Sequence, residues 1–213
     1  MTITIRPAQQ SDSPQLSYIC LATADAGKSA VHLHNYKEFP GLVWAEPYVH
    51  LPATWGFVLV DDEKDIDHQV VGYTLGATDT REYEKQADEK WWPGLREKYS
   101  KEKVKETGTS EDIKYAEWIW ESLPMSPLSE LGVKFSKAHL HIDILDEYQG
   151  QGWGRKLIAS AVEHLRGLGL DGVWLGLDPR NNAAKVFYAR LGFKALEGAD
   201  ENHLGLKFVD FKG

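Results

Sequence analysis

The stretch from His139 to Leu157, HLHIDILDEYQGQGWGRKL, carries two chemical signals a few residues apart. HLHID alternates in the manner of a strand, so His139, His141 and Asp143 share one face while Leu140, Ile142 and Ile144 share the other. QGQGWG, from Gln149 to Gly154, sets glycines at alternate positions just ahead of a helix start. Glycine there tolerates a left-handed backbone and lets the main chain approach a ligand, and the free N–H groups of the following helix favour an anion. Strand, glycine loop and helix form the opening of a parallel crossover.

The pattern continues downstream. In WGRKLIASAVEHLRGLG, Leu157, Ile158, Ala161, Val162 and Leu165 make one apolar stripe, and Gly167 and Gly169 stop the helix. GVWLGLD reads as a strand, and NNAAKVFYARLGF as a helix capped by Asn181 or Asn182 and ended by Gly192. FKALEG and HLGLKFVDF make a closing strand pair.

Upstream, TITIRPA alternates as a strand, and a helix follows with Ser13 as cap, Pro14 in its first turn and Leu16, Ile19, Cys20 and Thr23 at helical spacing. WGFVLVDD and QVVGYTLGATD form a hairpin across DDEKDIDH. Residues 81–137 are polar, with two predicted helices, REYEKQADEKWWPGLREKY and SEDIKYAEWIWESL, around a predicted loop SKEKVKETGT. Trp91, Trp92, Trp118 and Trp120 need cover, so this segment is expected to be a helical insertion lying on the sheet as a lid. The antiparallel front and parallel back together predict an α/β (α+β) fold, a mixed sheet of about seven strands with helices on both faces and the insertion between strands three and four. One domain over residues 1–213 is expected.

With 213 residues, 42% hydrophobic and 26% charged, the chain has the composition of a folded globular protein. Its net charge of −8 repels nucleic acid and anionic membrane and attracts amines. A single cysteine, Cys20, excludes an internal disulfide, and its apolar surroundings make it a buried packing residue. MTITIRPAQQ has no apolar core of a signal peptide, and no run reaches the roughly 18 apolar residues a span needs. A cytoplasmic or nuclear protein, monomeric or homodimeric, without nucleic acid or membrane as partner, is the expectation.

The glycine loop fits neither familiar nucleotide motif. A Rossmann fingerprint needs glycine where Arg155 stands, and a P-loop needs Gly-Lys-Ser or Gly-Lys-Thr. The spacing instead resembles another family. Gln149-x-x-Gly152-x-Gly154 after a strand, then Asn181-x-x-Ala184-x-x-x-Tyr188-x-x-x-Gly192-Phe193, resembles the two signature blocks of the GNAT acyl-CoA N-acyltransferases. EFPGLVWAEPYVHL, VVGYTLGATD and WWPGLREKY further resemble the acetyltransferase-like domain of O-GlcNAcase and its stand-alone microbial relatives. The animal domain of that family lacks an intact acyl-CoA loop, whereas Gln149, Gly152 and Gly154 are all present here.

The resemblance implies a GNAT fold and acetyl-CoA as cosubstrate, held between the strand at His139–Leu145 and the strand at Val173–Leu177. Main chain at Ile142, Ile144 and Leu145 would pair with the pantetheine arm. Gln149, Gly150, Gln151, Gly152, Trp153, Gly154 and Arg155 would hold the pyrophosphate, with Asn181 and Ala184 beside the arm. Arg155, Lys156, Arg180 and Lys185 would neutralise phosphates. Tyr188, beside the sulfur, would serve as acid, and Asp143 or His141 as the base that takes a proton from the amine. An HxHxD strand also suits metal, but such sites usually continue with another histidine where Ile144 stands, so no metal is expected. For the acceptor, a small-molecule amine such as an amino sugar, or a protein lysine, the expected contacts are Tyr48, Asp79, Trp92 and Asp143, with Glu46, Tyr83 and Trp91 nearby. The expected activity is direct N-acetyl transfer in a ternary complex. The alternative is a catalytically inactive module that binds acyl-CoA or an amino sugar.

Overall fold

The computed structural model describes residues 2–124 and 129–213. The chain opens with strand β1 (Ile3–Pro7), helices α1 (Ser13–Thr23), α2 (Phe39–Trp44) and α3 (Pro47–His50), and the hairpin β2 (Thr54–Asp61) and β3 (Val70–Ala77). Then come α4 (Thr80–Gln86), α5 (Trp92–Lys98), α6 (Lys101–Thr107), α7 (Ser110–Glu121) and α8 (Ser129–Phe135). The back half is β4 (His139–Ile144), α9 (Trp153–Gly167), β5 (Gly172–Gly176), α10 (Asn182–Leu191), β6 (Lys194–Ala195) and β7 (His203–Lys207).

Among the described residues seven strands form one sheet in the order β1-β2-β3-β4-β5-β7-β6. Every neighbouring pair is antiparallel except β4 and β5. β3 and β4 are paired from Gly72↔Ile144 to Ala77↔His139, whereas the parallel pair meets only at His139↔Trp174. Beyond that point β4 and β5 splay apart and leave a notch in the middle of the sheet.

Helices cover both faces, as alternation along the strands requires. On one face α1 to α7 pack with Val58, Val60, Tyr73 and Leu75 of the hairpin. On the other, α9 and α10 pack over Leu140, Val173, Leu175, Leu204 and Leu206. The predicted stripe of α9 is the buried one, Leu157, Ile158, Ala161, Val162 and Leu165. Burying each of the larger members contributes roughly 1.5–3 kcal/mol. Gly192 ends α10 at φ 102°, in a place where a Cβ would come 2.3 Å from the Asp210 carbonyl oxygen.

Four local expectations are corrected. Ser13 is the first residue of α1 rather than its cap, and its hydroxyl donates to Glu46 Oε2 at 3.1 Å. The first predicted helix of the insertion is interrupted by a π-helical turn at Ala87–Trp91, and Pro93, which has no N–H to give, stands in the first turn of α5. The predicted loop SKEKVKETGT contains α6: Ser100 caps it by accepting from the Lys103 N–H at 3.3 Å, and Val104 is fully buried. Helices α2 and α3 occupy a stretch for which no element was predicted. Among the described residues no helix is long and apolar enough to cross a membrane.

Candidate active site

The notch between β4 and β5 opens into a cleft of about 410 Å³. One wall is β4 itself, with His139, His141 and Asp143. The opposite wall is Leu175 to Asp178 with Asn181, Ala184 and Tyr188 from the start and middle of α10. The end of α1 and the loop after it, from Cys20 to Gly27, form a third side, and Trp44, Tyr115 and Trp118 form an aromatic rim. Trp44 meets Trp118 edge to face with centroids 5.0 Å apart, and lies 5.6 Å from the His141 ring.

Register decides which main-chain groups face the notch. The Leu145 N–H donates to the Val71 carbonyl at 3.0 Å, so in the alternating antiparallel ladder residues 145, 143, 141 and 139 bond back to β3. Ile142 and Ile144 therefore point their main chain toward the notch. The Ile144 carbonyl already accepts from Gln149 Nε2 at 2.7 Å, leaving its N–H on that side. Leu145 differs from these two: its N–H is turned to β3, and its carbonyl accepts from the Tyr148 N–H at 2.9 Å.

At the end of the notch the glycine loop turns into α9. Gly150 has φ 71° and Gly152 φ 86°, and a Cβ on either would meet open space. No side chain caps α9, so the main-chain N–H groups of Trp153, Gly154 and Arg155 point out of the helix without partners from it. Gly154 serves packing instead, since a Cβ there would lie 2.9 Å from the Phe187 ring. Gln151 Nε2 donates to the Glu147 carbonyl at 2.8 Å and steadies the loop. Free N–H groups, the dipole of a 15-residue helix and unobstructed space suit a phosphate-sized anion.

The basic residues divide. Arg155 is exposed and makes no ion pair among the described residues, and Lys156 Nζ lies over the Trp153 ring, 3.8 Å from its centroid. Lys185, expected to face phosphates, is paired with Glu201 at 2.7 Å. Arg180 is held by Asp178 at 2.7 Å and Asp25 at 2.8 Å, which ties the loop after α1 to the loop after β5. Asn181 caps α10 by accepting from the Ala184 N–H at 3.0 Å.

Electrostatics sets the titrating groups apart. Burial pushes the Asp143 carboxyl up to about 6, against opposing hydrogen bonds from Tyr73 and Thr23. Tyr73 Oη is 2.6 Å from Asp143 Oδ2. Burial first, and then the charge of Asp143, raises the Tyr188 phenol, so it keeps its proton at neutral pH. Burial lowers His141 to about 4, and burial followed by the neighbouring His141 holds His139 well below the ordinary histidine range, so both rings are neutral at pH 7. Cys20 is buried, and desolvation followed by the Asp143 charge raises its thiol, which makes it inert as a nucleophile.

Three expected substrate contacts lie away from the cleft. Tyr48 is buried behind the histidines, its Oη 2.8 Å from His139 Nε2 and 3.0 Å from His141 Nε2. Asp79 caps α4 by accepting from the Arg81 N–H at 3.0 Å and the Glu82 N–H at 3.2 Å. Trp92 opens α5 within the insertion and is a buried core residue. Glu46, Tyr83 and Trp91 are likewise outside the cleft lining. The rim residues Trp44, Tyr115 and Trp118 were not expected there; the clustered tryptophans signalled a need for cover but not which ring would face the cleft. Among the described residues no group of three or more His, Cys, Asp or Glu side chains is placed to hold a metal ion.

The family model described as "Acetyltransferase (GNAT) family" matches residues 31–193. The crystal structure of SsHAT is 27% identical and superposes with a TM-score of 0.79, over 98% of this chain and 99% of that one. A GNAT family acetyltransferase from Brucella melitensis in complex with acetyl-CoA is 18% identical, with a TM-score of 0.50 over 97% of this chain and 88% of that one. Arabidopsis thaliana NAA60 in complex with acetyl-CoA is 16% identical, with a TM-score of 0.51 over 96% of each chain. At those two identities the likeness is one of fold.

Proposed function

Since the chain belongs to the acetyltransferase (GNAT) family, we propose that, as one domain over residues 1–213, it moves an acetyl group from acetyl-CoA to a primary amine by direct transfer in a ternary complex. The observation that carries this reading is the placement of Asp143 and Tyr188 on facing walls of one cleft, a raised carboxyl opposite a protonated phenol. Acetyl-CoA supplies a thioester whose acetyl group passes to the amine nitrogen with departure of the thiol.

The chain's own groups have separate tasks. The Ile142 and Ile144 N–H groups bind the pantetheine arm as a neighbouring strand would. The Gly150–Arg155 loop receives the pyrophosphate on the free N–H groups of α9, with Arg155 and Lys156 at its edge. Asp143, ionised above about pH 6, takes a proton from the arriving ammonium. Tyr188 holds a proton at Oη for the departing sulfur. Trp44, Tyr115 and Trp118 make an aromatic mouth suited to a cation or the apolar face of a sugar, which favours a small amine over a folded protein as acceptor.

Calorimetric titration with acetyl-CoA tests the reading, with Gly152→Asp as control. Saturable binding that the variant loses supports it. Absence of binding by the unaltered protein overturns it.

A further inference from the structure

Behind the cleft wall runs a chain of hydrogen bonds whose direction is fixed at one end. The Lys137 carbonyl accepts from the Thr80 N–H and from Thr80 Oγ1, each at 2.8 Å. A hydroxyl has one proton, and this one is spent. Thr80 Oγ1 is also 2.8 Å from His139 Nδ1, so the ring nitrogen must be the donor there. The reverse arrangement would set two oxygen lone pairs against each other at 2.8 Å.

A neutral imidazole with its proton on Nδ1 has a bare Nε2. That nitrogen is 2.8 Å from Tyr48 Oη, which therefore donates to it. The proton of Tyr48 is then spent as well, and any further contact of its oxygen is as an acceptor. His141 Nε2, 3.0 Å from the same oxygen, must supply the proton for that bond. One step remains. His141 has its proton on Nε2, its Nδ1 is bare, and the residue lines the cleft beside Asp143. Burial, which lowers both histidines, keeps each ring at the single proton this count requires.

From this geometry, and resting on the acetyl-transfer reading of the cleft, we infer that His141 presents an acceptor-only Nδ1 to the acceptor substrate, selecting for an N–H or O–H donor at that point. Thr80, His139 and Tyr48 are positioning residues that impose the tautomer on His141 from the Lys137 carbonyl, four groups away. Asp143 and His141 then divide the work: the carboxylate removes a proton, and the imidazole orients the nitrogen or a neighbouring hydroxyl through one of its hydrogens. A substrate offering a lone pair at the same place meets another lone pair and is rejected.

The test is spectroscopic and needs no substrate. Two-bond 15N–1H correlation spectra of histidine-labelled protein, recorded at pH 7 without ligand, report which nitrogen of each ring is protonated. The expected result is Nδ1–H for His139, the less common form in water, and Nε2–H for His141. His139 found as Nε2–H, or His141 as Nδ1–H, overturns the inference. Thr80→Val should release His139 from the pure Nδ1–H form, whereas Thr80→Ser should retain it; unchanged rings in Thr80→Val would also overturn the assignment of the anchor. If Thr80→Val fails to fold, the spectra of the unaltered protein and of Thr80→Ser still decide. Acetyl-CoA titration is read separately, so loss of the acetyl-transfer reading and loss of this one are distinguishable.

Discussion

Tyr73 and Asp143 stand directly opposite each other across the β3–β4 pair, joined by a 2.6 Å hydrogen bond from the phenol to the carboxylate. The bond lowers a pKa that burial raises, and the balance is about 6. Activity should therefore rise with pH through a limb near 6, as Asp143 ionises. Tyr73→Phe should move that limb upward, a shift read from the pH profile of kcat/KM.

Asp143→Asn separates function from stability. A carboxyl raised from 3.8 to about 6 on folding binds more protons in the folded than in the unfolded chain between those values. Stability is thus fully present below about pH 4, falls as pH rises to about 6, and stays lower above it by up to about 3 kcal/mol. The asparagine variant should be more stable than the unaltered protein at pH 7 and nearly equal to it at pH 4 in urea denaturation. Its acetyl transfer should fall by about 10²-fold or more.

Tyr188→Phe removes the proton at Oη while keeping the ring that packs against Phe187 and Phe193. The expected outcome is a fall in kcat of about 10²-fold with acetyl-CoA affinity held within a few-fold. Equal kcat would remove Tyr188 from the mechanism.

Gly152 and Gly192 both have left-handed backbones, at φ 86° and 102°, but only Gly192 would drive a Cβ to 2.3 Å from a carbonyl oxygen. Gly152→Ala should cost about 1 kcal/mol, the conformational penalty alone. Gly192→Ala should cost about 3 kcal/mol or more, because main chain must shift as well. Paired denaturation curves check the ordering.

Asp112 is buried at the start of α7 and accepts from the Thr109 N–H at 2.9 Å, the Asn35 N–H at 2.9 Å and His34 at 2.8 Å. Burial raises its pKa, and these bonds more than reverse that, leaving it low. Its contribution is present above about pH 4 and lost as pH falls through the folded value. Asp112→Ala leaves several donors unpaired and should lower stability by about 2–4 kcal/mol at pH 7, measured by urea denaturation.

Much of the back half was legible because each element there is punctuated locally. Gly152, Gly167, Gly169, Asn181 and Gly192 mark helix ends, and the stripe of α9 shows its buried face. The insertion was harder to read. In SKEKVKETGT a single apolar residue, Val104, carries the burial that makes α6 worthwhile, and one residue shows no periodicity. Pro93 did mark the break before α5, but the helical pattern on either side masked it. At the site, the face shared by His139, His141 and Asp143 follows from strand alternation, whereas the third wall from Cys20 to Gly27 and the aromatic rim depend on how α1, α2 and α7 pack. Tyr48 was expected to touch substrate and instead stands one layer behind, because its approach to His139 and His141, about ninety residues along the chain, is set by how α3 packs and leaves no local mark in the sequence.

The single pairing point between β4 and β5, His139↔Trp174, makes the sheet two panels joined by a seam. Strands β1 to β4 form one panel, and β5, β7 and β6 the other. A molecule that bonds to the Ile142 and Ile144 N–H groups fills the seam the way a missing thread closes woven cloth, so the protein's continuity across its middle is completed by what it holds. Release of that molecule reopens the weave, and the two panels are then still joined by the core that α9 and α10 share with both and by the Arg180 tie between Asp25 and Asp178.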